Sequence, residues 1–388
     1  MLKLKDYVTG NVSVVHSLTP EEVGEWKNTL GEFAKSWDKL IEKYPQLEYP
    51  ETIDSLFKEY PAIAEMDIKE LLETLEIEQF YHIYPNSPVL DIIKRISIAA
   101  SNNRVMKANK NVKVKAMETL DGKYLLSYAT GKENYEVSVD NALSLKRNQS
   151  IMLRKTLNFI LIKANDQHYP DQIYFSLAEY MENMGETSKD AAYISAKREL
   201  DILLGFKMTG VRTRGKKEIR HAMDYVFTGR DISYNQCYVR CLPSHVEMLC
   251  QYFSLLPKWA GELSTKAYDL LDSIYYLARQ NTSKINSEGH FHISLKSIND
   301  RIGGRDPKET ERHKQFIIKP ILDAIKEIEK IQQNNELKIT PVHDTNYKNG
   351  HDFLQGYLEI EMEKTALDYY KSINKKKEDK MRKLPPKK

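Results

Sequence analysis

Two stretches 118 residues apart carry the same pattern, and that repeat constrains the fold of this 388-residue chain more than any other feature. Tyr174-Phe175-Ser176-Leu177 runs on to Met184-Gly185, and His292-Ile293-Ser294-Leu295 runs on to Ile302-Gly303. One offset pairs Ser176 with Ser294, Gly185 with Gly303, Leu200 with Ile318, Leu203 with Ile321 and Leu204 with Leu322. Upstream it pairs Leu153 with Leu271 and Leu157 with Tyr275. A few matches arise by chance, but one register held across three predicted elements implies two copies of one unit, over about 150–242 and 262–363.

Each copy reads as helix, short strand, helix, longer helix and hairpin. In the first, Ile173–Ser176 alternates as a strand and Ser176 is placed to cap helix Leu177–Met184, which Gly185 ends. Ser188 caps the next helix, with Tyr193, Ala196, Leu200, Leu203 and Leu204 on its apolar face, and Gly205 stops it. Extended segments Phe206–Val211 and Tyr225–Thr228 follow, joined by a turn rich in Arg and Lys. That is the layout of a winged helix. In the second copy the expected order is helix Ser264–Gln280, strand Phe291–Ser294, helix Leu295–Ile302, a long helix from about Pro307 to Gln333, and a hairpin of Leu337–Val342 with Phe353–Met362. Pro320 is expected to kink or break the long helix.

The flanks differ in charge. The formal net charge of +3 combines residues 1–100, with 10 Lys/Arg against 18 Asp/Glu, and residues 101–230, with 22 against 15. Residues 371–388 hold 9 against 2. An acidic head with a basic middle and tail points to a polyanionic partner held away from the head. The head predicts helices near 20–44, 52–60, 67–82 and 88–101, then a β-meander over Val112–Val139 with a turn at Asp121-Gly122. The fold class expected is α+β: tandem winged-helix domains, mostly helical, behind an N-terminal helical and β-meander domain. The boundaries are 1–149, 150–261, 262–363 and a solvated basic tail over 364–388.

The stretch Phe316-Ile317-Ile318-Lys319-Pro320-Ile321-Leu322-Asp323-Ala324-Ile325-Lys326-Glu327-Ile328 resembles the signature of plasmid replication initiators of the tandem winged-helix Rep class. Tyr268-Asp269-Leu270-Leu271, Ile293-Ser294-Leu295 and Tyr357-Leu358-Glu359-Ile360 agree in the flanks. The resemblance covers about 262–363 and extends over 150–242, but not the head or tail. It implies a non-enzymatic protein without cofactor or metal that binds repeated origin sites in double-stranded DNA. Origin binding as a monomer, recruitment of host replication proteins and repression of its own gene as a homodimer are further implications. The acidic head, the position of the proline and the weakly charged second wing depart from the pattern.

Physics selects the DNA-facing residues. With the apolar face of the first long helix centred on Leu200, the opposite face presents Ala191, Ile194, Ser195 and Arg198. Ile194 suits a thymine methyl and Arg198 a guanine edge. Lys189 at the helix start and Arg212, Arg214, Lys216, Lys217 and Arg220 in the turn suit phosphates. The repeat offset nominates Arg312 and His313 in the second copy, with Arg305 and Lys308 at its helix start.

Other constellations point elsewhere. A transcriptional regulator of a phage or mobile element would share this fold. His290-Phe291-His292 with Tyr275 and Tyr276 resembles the metal-binding strand and nucleophile of origin-nicking enzymes. Cys237, Cys241 and Cys250 with His221 and His245 have loose spacing for zinc. No Gly-rich phosphate cradle ending in Lys-Ser/Thr occurs. Three cysteines and no long apolar run fit a cytoplasmic chain away from membranes.

Overall fold

The computed structural model describes residues 77–86, 90, 94, 115–118, 124–130, 133–139, 152–167, 170–214, 217–220, 224–241, 253–282, 285, 289–332, 337–343 and 349–383. The expected helices at 20–44, 52–60, 67–82 and 88–101 fall wholly or mostly outside these residues. The chain divides into two compact units, Met1–Tyr81 and His82–Lys388, and both copies of the repeat lie in the larger one. Its described elements mix helices with small antiparallel sheets, an α+β chain.

Both copies follow one plan. The first runs α1 (Leu153–Asp166), β5 (Gln172–Phe175), α2 (Leu177–Met184) and α3 (Lys189–Leu203). The second runs α4 (Thr265–Gln280), β12 (His290–Ser294), α5 (Leu295–Arg301) and, after a π turn over Lys314–Ile318, α6 (Lys319–Ile331). Ser176 caps α2 through Glu179 N–H, and Glu179 returns a bond to Ser176 N–H at 2.6 Å. Ser294 caps α5 through Ser297 N–H at 3.2 Å. Gly185 and Gly303 both sit at φ +69°, the left-handed conformation that lets a helix end without a Cβ clash.

A three-stranded sheet closes each copy. Strand β5 pairs with β10 (Cys237–Cys241), and β10 with β9 (Phe227–Ile232). Likewise β12 pairs with β14 (Tyr357–Met362), and β14 with β13 (Leu337–Val342). The hairpin equivalent to β13–β14 is therefore β9–β10, whose turn is Ser233-Tyr234-Asn235-Gln236, a turn without a cation. The expected pairing of Phe206–Val211 with the segment at Tyr225 does form, with Lys207 opposite Tyr225 and Met208 opposite Asp224, but it is not the hairpin equivalent to β13–β14.

The cationic turn belongs to a different sheet. Strand β6 (Phe206–Arg214) pairs with β7 (Lys217–Arg220) and β8 (Asp224–Tyr225) along one edge and with β4 (Glu133–Val139) along the other. Strands β2 (Lys115–Glu118), β3 (Tyr124–Thr130) and β4 are the expected meander; its Asp121-Gly122 turn lies outside the described residues. This ladder joins residues on both sides of position 149, where the sequence places a domain boundary. Nine-residue β6 is long enough to serve three partners, so the meander and the first copy share one sheet.

Three further differences concern the second copy and its flank. The long helix does not start at Pro307: Pro307–Glu309 is a separate 3-10 turn. The segment expected to open the last strand at Phe353 is a short helix, α7 (Gly350–Phe353). Residues of the expected solvated tail form α8 (Lys364–Lys383), which buries Ala366, Leu367 and Tyr370. The Tyr370 hydroxyl accepts from Leu255 N–H at 3.1 Å and donates to the Tyr275 carbonyl at 3.3 Å. That ties α8 to α4 and to β11 (Phe253–Pro257). Strand β1 (Tyr81–Pro85), which belongs to the larger unit from His82 onward, pairs with β11.

Candidate nucleic-acid interface

Helix α3 buries Ala192, Ser195, Ala196, Glu199, Leu200, Ile202 and Leu203 against α1, α2 and β9. Packing on several sides widens the buried face, and Ser195, expected outward, turns inward with its hydroxyl 3.8 Å from Met152 Sδ. What remains outside is Lys189, Asp190, Ile194, Lys197 and Asp201, with Ile194 66% exposed. Arg198 is half-buried and its guanidinium binds buried Glu199, with contacts of 3.0 and 2.9 Å. Lys197 was not singled out in the sequence; it lies one turn from Ile194, and wheel geometry centred midway between Ala196 and Leu203 would have found it.

Hairpin β9–β10 engages the two acids on that face, one by a hydroxyl and one by a countercharge. The Tyr234 hydroxyl donates to Asp190 at 2.8 Å while its ring stacks on Tyr193. Arg230 Nε donates to Asp201 at 2.7 Å. With both carboxylates engaged, Lys189 and Lys197 flank an exposed isoleucine.

The cationic turn is known here by backbone register. Arg214 stands opposite Lys217, Val211 opposite Arg220, and Arg212 lies between Ile219 and Glu133 in neighbouring strands. Lys216 lies outside the described residues. These positions share the β6–β7 ribbon, so the structure groups Arg212, Arg214, Lys217 and Arg220 with the meander sheet rather than with the hairpin beside α3.

In the second copy the register slips. Offset 118 places Arg312 and His313 in mid-helix, whereas they stand at its N-terminus, where His313 Nε2 is 2.9 Å from the Pro307 carbonyl. Pro320 explains the π turn between. A proline has no N–H for the carbonyl four residues back and crowds it. The chain widens by one residue there, and Lys319 N–H bonds to Lys314. The Phe316 carbonyl, freed by Pro320, accepts a long bond from Arg305 N–H at 3.5 Å. The Arg305 guanidinium lies 4.1 Å from the centre of the Phe316 ring. Arg305 and Lys308, expected at the helix start, therefore sit in the loop before it, both exposed. The exposed side of the long helix carries Arg312, Gln315, Lys319 and Lys326, while Ile317, Ile318, Ile321, Ala324, Ile325 and Ile328 are buried.

No family model matches this chain, and no curated protein matches it. Among solved structures it is similar to the crystal structure of RctB domains 2-3, with a TM-score of 0.40 and 10% identity over 71% of this chain and 99% of that one. A selenomethionine derivative of domain 2 and domain 3 of RctB gives 0.40 and 11%, over 70% and 99%. At such scores the likeness carries no argument about fold or function.

The metal-based alternatives find little geometry. Phe291 faces the core, and the exposed His292 ring lies 4.6 Å from Tyr357 and 3.7 Å from Glu359. Tyr275 and Tyr276, the tyrosines a nicking reaction would use, are buried in α4. Cys237 and Cys241 are buried thiols donating to the carbonyls of Ser233 and Val226 at 3.4 Å each. Cys250, His221 and His245 lie outside the described residues. Among the described residues no three His, Cys, Asp or Glu side chains gather as metal ligands, and no helix is long and apolar enough to cross a membrane.

Proposed function

We propose that this chain is a non-enzymatic, sequence-specific double-stranded DNA-binding protein that initiates plasmid replication through two winged-helix units. One observation carries the reading: the same helix–strand–helix–helix–hairpin plan occurs twice, and each copy turns a cation-bearing helix face to solvent. Helix α3 offers Lys189, Ile194 and Lys197; the second long helix offers Arg312, Gln315 and Lys319. A helix of this kind enters a major groove, where Gln pairs with adenine, Arg with guanine and an aliphatic tip with a thymine methyl. Ser195, being buried, drops out of the reading surface, and the Arg198 guanidinium must leave Glu199 to reach a base. The β6–β7 ribbon supplies phosphate contacts, which position without specifying.

Linking the two units makes binding of two adjacent half-sites one event. The acidic head is assigned to host replication proteins, since its charge repels a duplex. The resemblance also implies a homodimeric state, repeated origin sites and a cytoplasmic location.

The test is nuclease footprinting on the noncoding DNA beside the gene. Several protected repeats are the expected result. A single protected promoter operator would instead make the chain a transcriptional regulator, and a covalent tyrosyl–DNA adduct would make it a nicking enzyme.

A further inference from the structure

The first helices of the two copies, α1 and α4, are joined by buried polar side chains. Arg154 of α1 is 3% exposed and reaches across to the second copy. Its guanidinium donates to the carbonyls of Asp269 and Arg301 and to the Ser273 hydroxyl, at 3.0 to 3.1 Å. It also lies 3.4 Å from the Asp269 carboxylate and 3.8 Å from that of Asp272. One turn on, Asn158 donates to the Tyr268 hydroxyl and to Asp272, at 3.0 Å each. Lys155 donates to the Met184 carbonyl at the end of α2 and to the Gly261 and Leu263 carbonyls ahead of α4, at 2.6 to 3.2 Å. Lys94 and Tyr84 donate to Asp272 as well. Arg154 and Asp272 are themselves 118 residues apart, so the copies meet at equivalent positions of equivalent helices, one cationic and one anionic.

Each side of this seam continues into an outward helix. Helix α3 packs on α1, and α6 packs on α4. Glu327 of α6 also accepts from the Ser264 N–H and hydroxyl at the start of α4, at 2.5 and 2.6 Å. An apolar seam slides or rotates with little loss, because hydrophobic contact has no preferred direction. Here a slip of one turn would take the guanidinium from its three acceptors and leave a buried carboxylate short of its countercharge, which is strongly unfavourable. Directional partners therefore fix both the translation and the rotation of one copy against the other.

We propose that the α1–α4 seam sets the distance and rotation between the two outward helices, so that one chain accepts a single spacing of two half-sites in duplex DNA. Arg154 is the positioning residue: it touches no DNA, and its bonds hold α1 and α4, and through them α3 and α6, in one register. The proposal rests on the DNA reading above. It adds a second layer of specificity, in which base-edge contacts choose the half-sites and the seam chooses the number of base pairs between them.

The test is selection by the full chain from a library of duplexes with about 40 random base pairs, room for two half-sites a few turns apart. One base pair moves a half-site by about 3.4 Å and turns it by about 35°. Parent sites should carry two motifs at one spacing, and inserting one base pair should cut affinity about tenfold. Arg154→Met should keep both motifs, spread their spacing and bring the insertion penalty within about twofold. A merely structural role would lower affinity at every spacing alike. Noncanonical spin labels at the exposed positions 197 and 326, read by pulsed electron resonance without DNA, should give one narrow distance in the parent and a broad one in the variant. Should Arg154→Met fail to fold, Arg154→Met with Asp269→Leu removes one charge of each sign and serves in its place. Parent motifs at several spacings, or a variant that keeps the parent's single spacing, overturn the proposal. Should no pair of motifs be enriched, a narrow parent distance that broadens in the variant upholds the seam and overturns the DNA reading, and any other pair of distances overturns both.

Discussion

Tyr234 lies flat on Tyr193, with ring centroids 5.3 Å apart and planes 5° from parallel, and its hydroxyl donates to Asp190. The contact seats the turn of hairpin β9–β10 on the start of α3 and occupies a carboxylate that, on the proposed reading, would otherwise face a phosphate. Tyr234→Phe keeps the stack and frees that carboxylate. Duplex affinity, read by fluorescence anisotropy, should fall several-fold with an unchanged melting temperature. Unchanged affinity would place this face away from DNA.

The β6–β7 ribbon should act on salt dependence. Each phosphate contact steepens log K against log salt by about 0.9, so replacing Lys216 and Lys217 by Ala should flatten the slope by roughly one to two units. Cognate and random duplexes should weaken alike, because phosphates carry no base identity. A slope identical to the parent's would detach the ribbon from the duplex.

Gly304 is one of the places where a methyl group cannot be added without cost. A Cβ there would lie 1.7 Å from Asn299 Oδ1 and 2.5 Å from its Cγ. Asn299 is buried and donates to the Arg305 carbonyl at 3.0 Å, holding the loop that leads to the π turn. Gly304→Ala should destabilise by about 2 kcal/mol in urea unfolding, since a buried amide loses its bond or the loop shifts. Adding Asn299→Ala should cost less than the sum of the single changes. Strict additivity would show that the two sites do not meet.

His82 ties stability to acidity. Burial, followed by the nearby charges of Lys258 and Lys163, lowers its pKa from 6.5 to about 4. The folded state therefore releases the proton that the unfolded state still holds between those values. Its contribution is intact above about pH 6.5 and is lost as pH falls toward 4, amounting to about 3 kcal/mol at the acid end. His82→Gln should flatten that part of the stability–pH curve. A curve of unchanged steepness would assign the acid sensitivity to other groups.

What the sequence revealed was mostly local. Ser176, Ser188 and Ser294 stand at helix starts, and Gly185 and Gly303 at helix ends, because caps and left-handed turns are set by a residue and its neighbours within four positions. The choice of strand partner is not local. Nothing near Phe206 says that Val139 will lie opposite it, so the hairpin that carries the cationic turn was read as the wing of the first copy although its first strand also joins the meander. Ser195 was misplaced for a related reason: a helix wheel assumes one packed side, and α3 has several. The slip at Arg312 comes from an insertion between Gly303 and the long helix, which a repeat offset taken from the preceding elements does not see. In α8 the spacing of Ala366, Leu367 and Tyr370 was visible but outweighed by the surrounding lysines.

The π turn has a consequence for orientation. It occurs only in the second copy, ahead of Pro320, where the long helix exposes Arg312, Gln315 and Lys319 while α3 exposes Lys189, Ile194 and Lys197. The two copies thus present chemically distinct helix faces. On the proposed reading, the composite site is neither a palindrome nor a perfect direct repeat within one bound copy, and it has a head and a tail. A single bound molecule would give the origin a direction, before any second protein arrives to use it.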